Sequence, residues 1–208
     1  PEATIICSPN NPTGGVLSGK DLARLLEASR GLVVVDEAYH EFSGQTAAPL
    51  LKQYPNLVVF RTFSKALALA ALRVGYLLAA PALAREIAKA VLPYNLNAFS
   101  QTAAEVAIEH YGELEKLVAR VVGERGRLYE GLKRIGGLAP VASRANFMVV
   151  RTEIEPREVF GKLLERDILV RDVSGYPMLK NYFRVSVGTP EENDRLLAAL
   201  AEIFGGEG

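Results

Sequence analysis

The apolar positions of the chain fall into two rhythms. Short runs with few polar breaks, TIICS (4–8), LVVVDEA (32–38), LVVFRT (57–62) and VGYLLAA (74–80), have the length and β-branched content of strands. TIICS reads as a buried strand, and LVVVDEA is too apolar to be wetted on one side, so it is expected to be covered on both faces. Between these runs the spacing changes to threes and fours. Leu22, Leu25 and Leu26 mark one face of a helix over 19–29, with Ser18 as its cap, Asp21 in the first turn and Gly31 as its end. From Pro81 onward the pattern is helical, with a break at Pro93. A long helix is then predicted over 98–135, because Leu114, Leu117, Val118, Val121, Val122, Leu128, Leu132 and Ile135 recur at helical steps.

After Gly136-Gly137 the character changes again. NFMVVR (146–151), ILVRDV (168–173) and YFRVSV (182–187) read as strands, and Pro156 opens a helix with Val159, Phe160, Leu163 and Leu164 inward. Thr189-Pro190-Glu191-Glu192 is a capping box for a final helix. The expected architecture is α/β: a largely parallel sheet over 1–97, a long connecting helix over 98–135, and a small α+β domain over 136–208.

Composition narrows the function classes. The 208 residues carry 24 Lys plus Arg against 24 Asp plus Glu, without a basic block, so neither nucleic acid nor an anionic membrane is an expected partner. No apolar run reaches membrane-spanning length. Cys7 is the single cysteine, which excludes an intrachain disulfide, reads as a small core residue and suits a reducing, cytoplasmic setting. With only His40 and His110 besides, no metal site is expected. The sequence opens Pro1-Glu2-Ala3-Thr4-Ile5-Ile6 and enters a strand at once, which reads as a chain that starts within a larger whole.

Candidate chemistry centres on RTFSKALALAALR (61–73), an apolar run with one lysine, Lys65. One reading is a surface helix whose lysine snorkels. The other is a lysine held, through burial, as an uncharged nucleophilic amine. GGVLSGK (14–20) followed by VVVDE satisfies much of a P-loop pattern, but Asp21 stands where a magnesium-holding Ser or Thr belongs, and a carboxylate there suits a helix cap better. A different set does converge. In parallel α/β sheets the strand C-termini open on one crevice, and Asn11, Asp36, Tyr39, Thr62, Ser64 and Lys65 all fall at or just beyond such ends, with Arg73 eight residues after the lysine. An amine, a carboxylate, a phenol, an amide and an anion-binding group suit pyridoxal phosphate, which needs a lysine for its aldehyde, an acid for its ring nitrogen, donors for O3′ and a cradle for its phosphate.

SPNNPTGG, VVVDEAYHEF and RTFSKALALAALRVGY resemble the fold-type I pyridoxal phosphate aminotransferases, and VDEAYHEF with SKALALAALR resembles their histidinol-phosphate branch most. The resemblance runs to FRVSVGTPEENDRLLAAL and so covers essentially the whole chain. It implies Lys65 as the lysine that carries the cofactor, Asp36 at the pyridine nitrogen, Tyr39 and Asn11 at O3′, and Thr62, Ser64 and Arg73 at the phosphate. It also implies Arg184 as the arginine that grips a substrate carboxylate, a role the period-two pattern supports by placing Tyr182, Arg184 and Ser186 opposite Phe183, Val185 and Val187. A surface arginine on an edge strand is the alternative for Arg184. Arg171 is a weaker candidate for a substrate phosphate, and Asn146 weaker still. Carried further, the resemblance implies transamination between L-histidinol phosphate and 2-oxoglutarate in histidine biosynthesis, by a homodimer. A leading segment, with the rest of the phosphate cup and a ring-stacking aromatic, is expected to be lacking here. Two other readings stay open: a relative acting on another amine, including a decarboxylase, and a non-catalytic fragment or partner subunit.

Overall fold

The computed structural model of the chain describes residues 2–205. It divides into two compact units: one takes in the chain up to Asn10 and Val16–Val118, the other Asn11–Gly15 and the chain from Ala119 on.

The first unit is built on a four-stranded sheet of order β1-β2-β3-β4, with β1 Ala3–Cys7, β2 Leu32–Asp36, β3 Leu57–Thr62 and β4 Gly75–Ala79. The first three strands are parallel and β4 returns antiparallel to β3, so the expected mostly parallel sheet is present. Helix α1, Gly19–Ala28, crosses between β1 and β2. The Ser18 hydroxyl accepts from the Asp21 N–H at 3.1 Å, and the first turn is a cap with no sign of a phosphate cradle. Ser29 caps the other end by donating its N–H to the Leu25 carbonyl, two residues before the expected Gly31. Leu22 and Leu26 pack on Val33, Val35, Leu57 and Val59. Burial is graded across the sheet. Val33, Val34 and Val35 of β2 are buried, but β1 lies at an edge with Ile5 75% exposed, so TIICS is not the buried strand its composition predicts. Apolar content reports what a strand can bury, and position in the sheet decides what it does bury.

Beyond β4 come α3, Pro81–Ala88, and α4, Ala98–Glu109. The stretch predicted as one long helix is two, because the chain turns at His110 before α5, Tyr111–Lys133. Asn97 caps α4 by accepting the Ser100 N–H, and the buried Ser100 hydroxyl donates to the Leu72 carbonyl at 2.8 Å.

The second unit contains an antiparallel sheet of order β5-β6-β8-β7: β5 Leu138–Pro140, β6 Phe147–Thr152, β7 Arg171–Asp172 and β8 Tyr182–Ser186. β5 is too short to leave a periodic signal, and ILVRDV keeps only two residues in the ladder. Helices α6, Pro156–Leu164, and α7, Pro190–Gly205, pack with Leu128 and Leu132 of α5 over Met148, Val150, Phe183 and Val185. Leu164, expected inward, is half exposed; Val159 and Leu163 fill that face instead. The predicted capping box is formed, Thr189 accepting the Glu192 N–H at 3.3 Å and Glu192 accepting the Thr189 N–H at 2.8 Å.

A polar joint holds the start of α7 to α5. The buried Asn193 side chain donates to Glu124 at 2.9 Å and accepts the Gly188 N–H at 3.0 Å, while Arg127 pairs with Glu124 and Asp194. The hydrogen bond from Arg127, then that from Asn193, holds the Glu124 carboxyl below its ordinary value, and bonds from Ser174 do the same for Asp172. A carboxyl depressed on folding stabilises fully above its unfolded value, near ~4, and the contribution is lost as pH falls through the folded value. Unfolding temperature is therefore expected to hold flat from about pH 7 to about pH 5 and then fall, less steeply in Glu124→Gln. Thermal melts across that range check this, and identical slopes would remove Glu124 from the account.

Candidate functional site

In the first unit the candidates gather at the C-terminal tips of β2 and β3. Asp36 is the last residue of β2 and pairs with Phe60 on β3. Side chains alternate along a strand, so Asp36, Phe60 and Thr62 share one face of the sheet, while Glu37 and Arg61 lie on the other. Asp36 accepts the Ala38 N–H at 3.0 Å, which turns the chain toward the buried Tyr39. Tyr39 precedes the short helix α2, His40–Ser43. From the neighbouring tip, the Lys65 ammonium lies over the Tyr39 ring, 5.6 Å from its centroid. Two residues separated by 26 positions in sequence thus meet because parallel pairing brings their strand ends side by side.

The lysine loop has its own internal frame. The Thr62 hydroxyl accepts the Ser64 N–H at 3.0 Å and lies 3.4 Å from the Val74 carbonyl, to which it donates. Ala68 donates its N–H to the Lys65 carbonyl at 3.1 Å, and Leu69 donates to Phe63 at 3.0 Å. Ala68 and Arg73 both sit in the left-handed region, at φ 57° and 56°, conformations a side chain adopts at a cost of order 1 kcal/mol. Instead of the surface helix that the bland reading supposes, the run is a loop with one 3₁₀ turn, Ala70–Leu72. Lys65 itself is exposed. The apolar side chains beside it turn inward, Phe63, Leu67 and Val74 forming a buried cluster with Leu69 and Leu72 at its margin. The run is apolar for the sake of that cluster. The expectation that Lys65 is buried is not met; Phe63, Leu67 and Val74 are the buried members of the run.

Arg73 is exposed as well; its Nη1 donates to the Ala70 carbonyl at 2.7 Å and so reaches back across the 3₁₀ turn. Cys7 is half-buried, with its thiol donating to the Pro9 carbonyl at 3.2 Å. Taken together, the groups of this unit suit a phosphorylated aromatic aldehyde. Lys65 offers an accessible amine, Tyr39 a phenol, Asp36 a carboxylate on the same sheet face as Thr62, and Ser64 and Arg73 polar donors on the loop. Thr62 shapes the loop, its proton being committed to Val74.

The remaining candidates, Asn11, Arg171 and Arg184, belong to the second unit. Arg184 lies on β8, which is flanked by β6 and β7, so it is not on an edge strand. Its Nη1 donates to Asn11 Oδ1 at 2.7 Å and its guanidinium stacks over the Phe147 ring at 4.8 Å. Its Nε is buried without a hydrogen-bond partner, an unusual cost for a fork shaped to meet a two-oxygen acceptor. Arg171 pairs with Arg184 across the β7–β8 ladder, and both line a cavity of about 500 Å³ with Phe160, Leu169, Val170, Asp172 and Ser186. Two cations directly opposed on a ladder repel each other, and a dianionic ligand would relieve this. The loop carrying Asn11 is tightly seated: Arg144 donates its N–H to the Gly14 carbonyl at 2.8 Å, and a Cβ on Gly14 would lie 2.0 Å from the Ser143 hydroxyl. Asn146 only accepts the Val187 N–H through its carbonyl.

Three contributors escape a reading of the sequence: Phe147 beneath Arg184, and the pair Glu37 and Arg61. Glu37 is 2% exposed and accepts from Arg61 Nε at 3.0 Å. Strand parity was the signal available for that pair, since both residues stand one step from a candidate on the opposite face. Among the described residues there is no acidic or histidine cluster able to hold a metal, and no helix is long and apolar enough to cross a membrane.

Comparison with known proteins matches residues 2–200 to the family model for aminotransferase class I and II. Histidinol-phosphate aminotransferase 1 of Carboxydothermus hydrogenoformans is 47% identical over 204 residues, covering 98% of this chain and 57% of that protein. The crystal structure of histidinol-phosphate aminotransferase from Sinorhizobium meliloti in complex with pyridoxal-5'-phosphate superposes with a TM-score of 0.88 at 28% identity, covering 100% of this chain and 58% of that one. L-threonine-O-3-phosphate decarboxylase from Porphyromonas gingivalis gives the same TM-score of 0.88 at 25% identity, covering 98% and 65%. The chain thus spans less than two thirds of the length of the proteins it matches.

Proposed function

This chain belongs to the aminotransferase class I and II family, and we propose from that membership and the geometry of the β2 and β3 tips that it carries the lysine-bearing part of a pyridoxal phosphate enzyme transferring an amino group from L-histidinol phosphate to 2-oxoglutarate. The observation that carries the reading is the Lys65 amine over the Tyr39 ring at 5.6 Å, beside a strand ending in Asp36. Pyridoxal phosphate, when bound, supplies an aldehyde and a ring that accepts electron density. Lys65 Nζ would hold the cofactor's aldehyde and, as a free amine, would take up the proton from the substrate's amine-bearing carbon. Asp36 would keep a proton on the ring nitrogen, the Tyr39 hydroxyl would donate to O3′, and Ser64 and Arg73, on the loop shaped by Thr62, would receive the phosphate; for Asn11 the role at O3′ rests on the family resemblance alone. Arg184 takes the substrate carboxylate through its fork, and Arg171 receives the phosphate of the amine. On this reading residues 1–97 would be the cofactor-binding portion and 136–208 the small domain, with 98–135 connecting them, in a homodimer.

A second reading, decarboxylation of a phosphorylated amino acid, is favoured by one observation. The chain superposes on the phosphothreonine decarboxylase as closely as on the Sinorhizobium meliloti aminotransferase, though less closely than on histidinol-phosphate aminotransferase from Clostridium acetobutylicum, at a TM-score of 0.93, and an arginine pair suits either phosphorylated substrate.

The test is to incubate the chain with pyridoxal phosphate, reduce with borohydride and map the labelled peptide, then to compare amine donors. Label confined to Lys65, with histidinol phosphate preferred over phosphothreonine, is the expected result. Absence of label on Lys65 in folded protein overturns the cofactor reading. Carbon dioxide release from phosphothreonine would instead establish the decarboxylase.

A further inference from the structure

The tips of β2 and β3 are fastened on the sheet face opposite the candidate site by a single buried carboxylate. Glu37 is 2% exposed, and four donors reach its two oxygens. Oε1 accepts the Ala47 N–H. Oε2 accepts from the Thr46 hydroxyl at 2.9 Å and from Arg61 Nε and Nη2, each at 3.0 Å. Arg61 Nη2 also donates to the Thr46 hydroxyl at 2.7 Å, which closes a three-residue ring. The Glu37 N–H donates to the Phe60 carbonyl at 2.8 Å, extending the β2–β3 ladder by one residue just where both strands end.

Thermodynamic stability alone does not account for this arrangement. A buried ion pair gains little over apolar side chains of equal volume, because desolvation of the two charges offsets their attraction. What a fully satisfied buried network does supply is a single geometry, since every alternative leaves a charge or a donor unpaired. The segments fixed here are those that carry the candidates. Glu37 stands between Asp36 and Tyr39 in the chain, and Arg61 precedes Thr62, Ser64 and Lys65. Thr46 and Ala47 begin the segment beyond α2, so the turn holding Tyr39 is gripped from both ends.

A second tether runs from the same arginine to the lysine loop. Arg61 Nη1 lies 3.5 Å from the Tyr76 hydroxyl on β4, and the Tyr76 ring meets Phe63 edge-on, with centroids 5.9 Å apart. Phe63 is two residues before Lys65 and buried beneath its loop. The Glu37–Arg61 ring therefore reaches Lys65 along the strand and from below, while reaching Tyr39 along the other strand.

We propose that Glu37 and Arg61 form a positioning pair that sets the separation between the Lys65 amine and the Tyr39 ring, an inference that rests on the reading of Lys65 as the lysine bonded to pyridoxal phosphate. Neither residue touches the reacting atoms. Glu37→Gln keeps the shape and, with its amide oxygen at the Oε1 position, the bond from Ala47, but it puts an NH2 where Oε2 accepts from Thr46 and Arg61 and removes the charge that orients Arg61. Arg61→Lys keeps the charge but loses the fork.

The test uses the full chain with pyridoxal phosphate as probe. Far-ultraviolet circular dichroism and thermal unfolding report the fold. The cofactor concentration giving half-maximal borohydride label at Lys65, and the pH midpoint of the bound chromophore's absorbance, report the positioning. Both variants are expected to unfold cooperatively, to need about tenfold more cofactor for half labelling and to shift the pH midpoint. The double variant is expected to be no worse than the poorer single one, because the two residues act as a unit. Variants that melt earlier yet label and titrate as the parent chain does would make the pair a purely structural one and overturn the inference. Should Glu37→Gln fail to fold, Arg61→Lys decides alone. A parent chain that takes no label at Lys65 sinks the reading of the lysine and this inference with it. A labelled parent with unaltered variants sinks only the inference.

Discussion

Lys65→Ala is expected to remove borohydride-fixed pyridoxal phosphate from the 61–73 peptide entirely and to slow proton transfer from the amine substrate by at least about a thousandfold. On the proposed reading two functions leave together, the covalent hold on the cofactor and the base for the α-proton. Retention of the cofactor should fall much less than the rate, because Tyr39, Ser64 and Arg73 remain. The fold should be nearly indifferent. Lys65 is exposed, its recorded ring contact is with Tyr39, and its backbone bond to Ala68 is untouched by truncation. A surface change of this kind alters stability by less than about 0.5 kcal/mol. Single-turnover absorbance measurements with the amine, alongside a thermal melt of the same sample, check both halves. A small primary amine added to the buffer should restore part of the lost rate, since the vacated space opens to solvent. Persistent label in the alanine variant, or a rate lowered less than tenfold, contradicts the assignment.

Arg184→Lys is expected to raise the 2-oxoglutarate concentration needed for half-maximal rate by about a hundredfold, with a smaller fall in maximal rate. The charge survives this substitution; the planar fork does not. In the structure the guanidinium is held by Asn11 at 2.7 Å and by the Phe147 ring at 4.8 Å, so its plane is set before any ligand arrives. A flexible ammonium has neither constraint and must lose its freedom on binding. Asn11→Ala frees Nη1 and is expected to produce the same kind of change at about a tenth of the size. Loss of the buried, unpartnered Nε should leave stability equal or slightly higher, which separates a binding defect from unfolding. Unchanged dependence on the keto acid in the lysine variant would return Arg184 to a structural role.

Much of the proposed site was open to inspection in one dimension, for a definite reason. Asp36, Tyr39, Thr62, Ser64 and Lys65 are recognisable because each follows an apolar run whose C-terminal end is marked by the change to polar residues. Parallel pairing of β2 with β3 then does the rest. Arg184 was recognisable through the alternation of YFRVSV, which the structure reproduces with Phe183 and Val185 buried. The burial of Lys65 was misjudged for an equally definite reason. A run of alanine and leucine says that something is buried, and the side of the loop on which it is buried depends on backbone dihedrals at Ala68 and Arg73 that neither residue type favours.

By itself, the sequence determined the order of the longer strands and of the helices flanking them, the caps at Ser18 and Thr189, the alternation that sorts each strand's side chains to two faces, and the chemical inventory at the strand tips. These are local properties, set by spacing and by contacts within a few residues. Only the tertiary structure decided that β1 is an edge, that the predicted long helix turns at His110, that Arg171 stands opposite Arg184, and that Glu37 meets Arg61 beneath the site. Each of these depends on which distant segments become neighbours, and that is fixed by the packing of whole elements over a shared core.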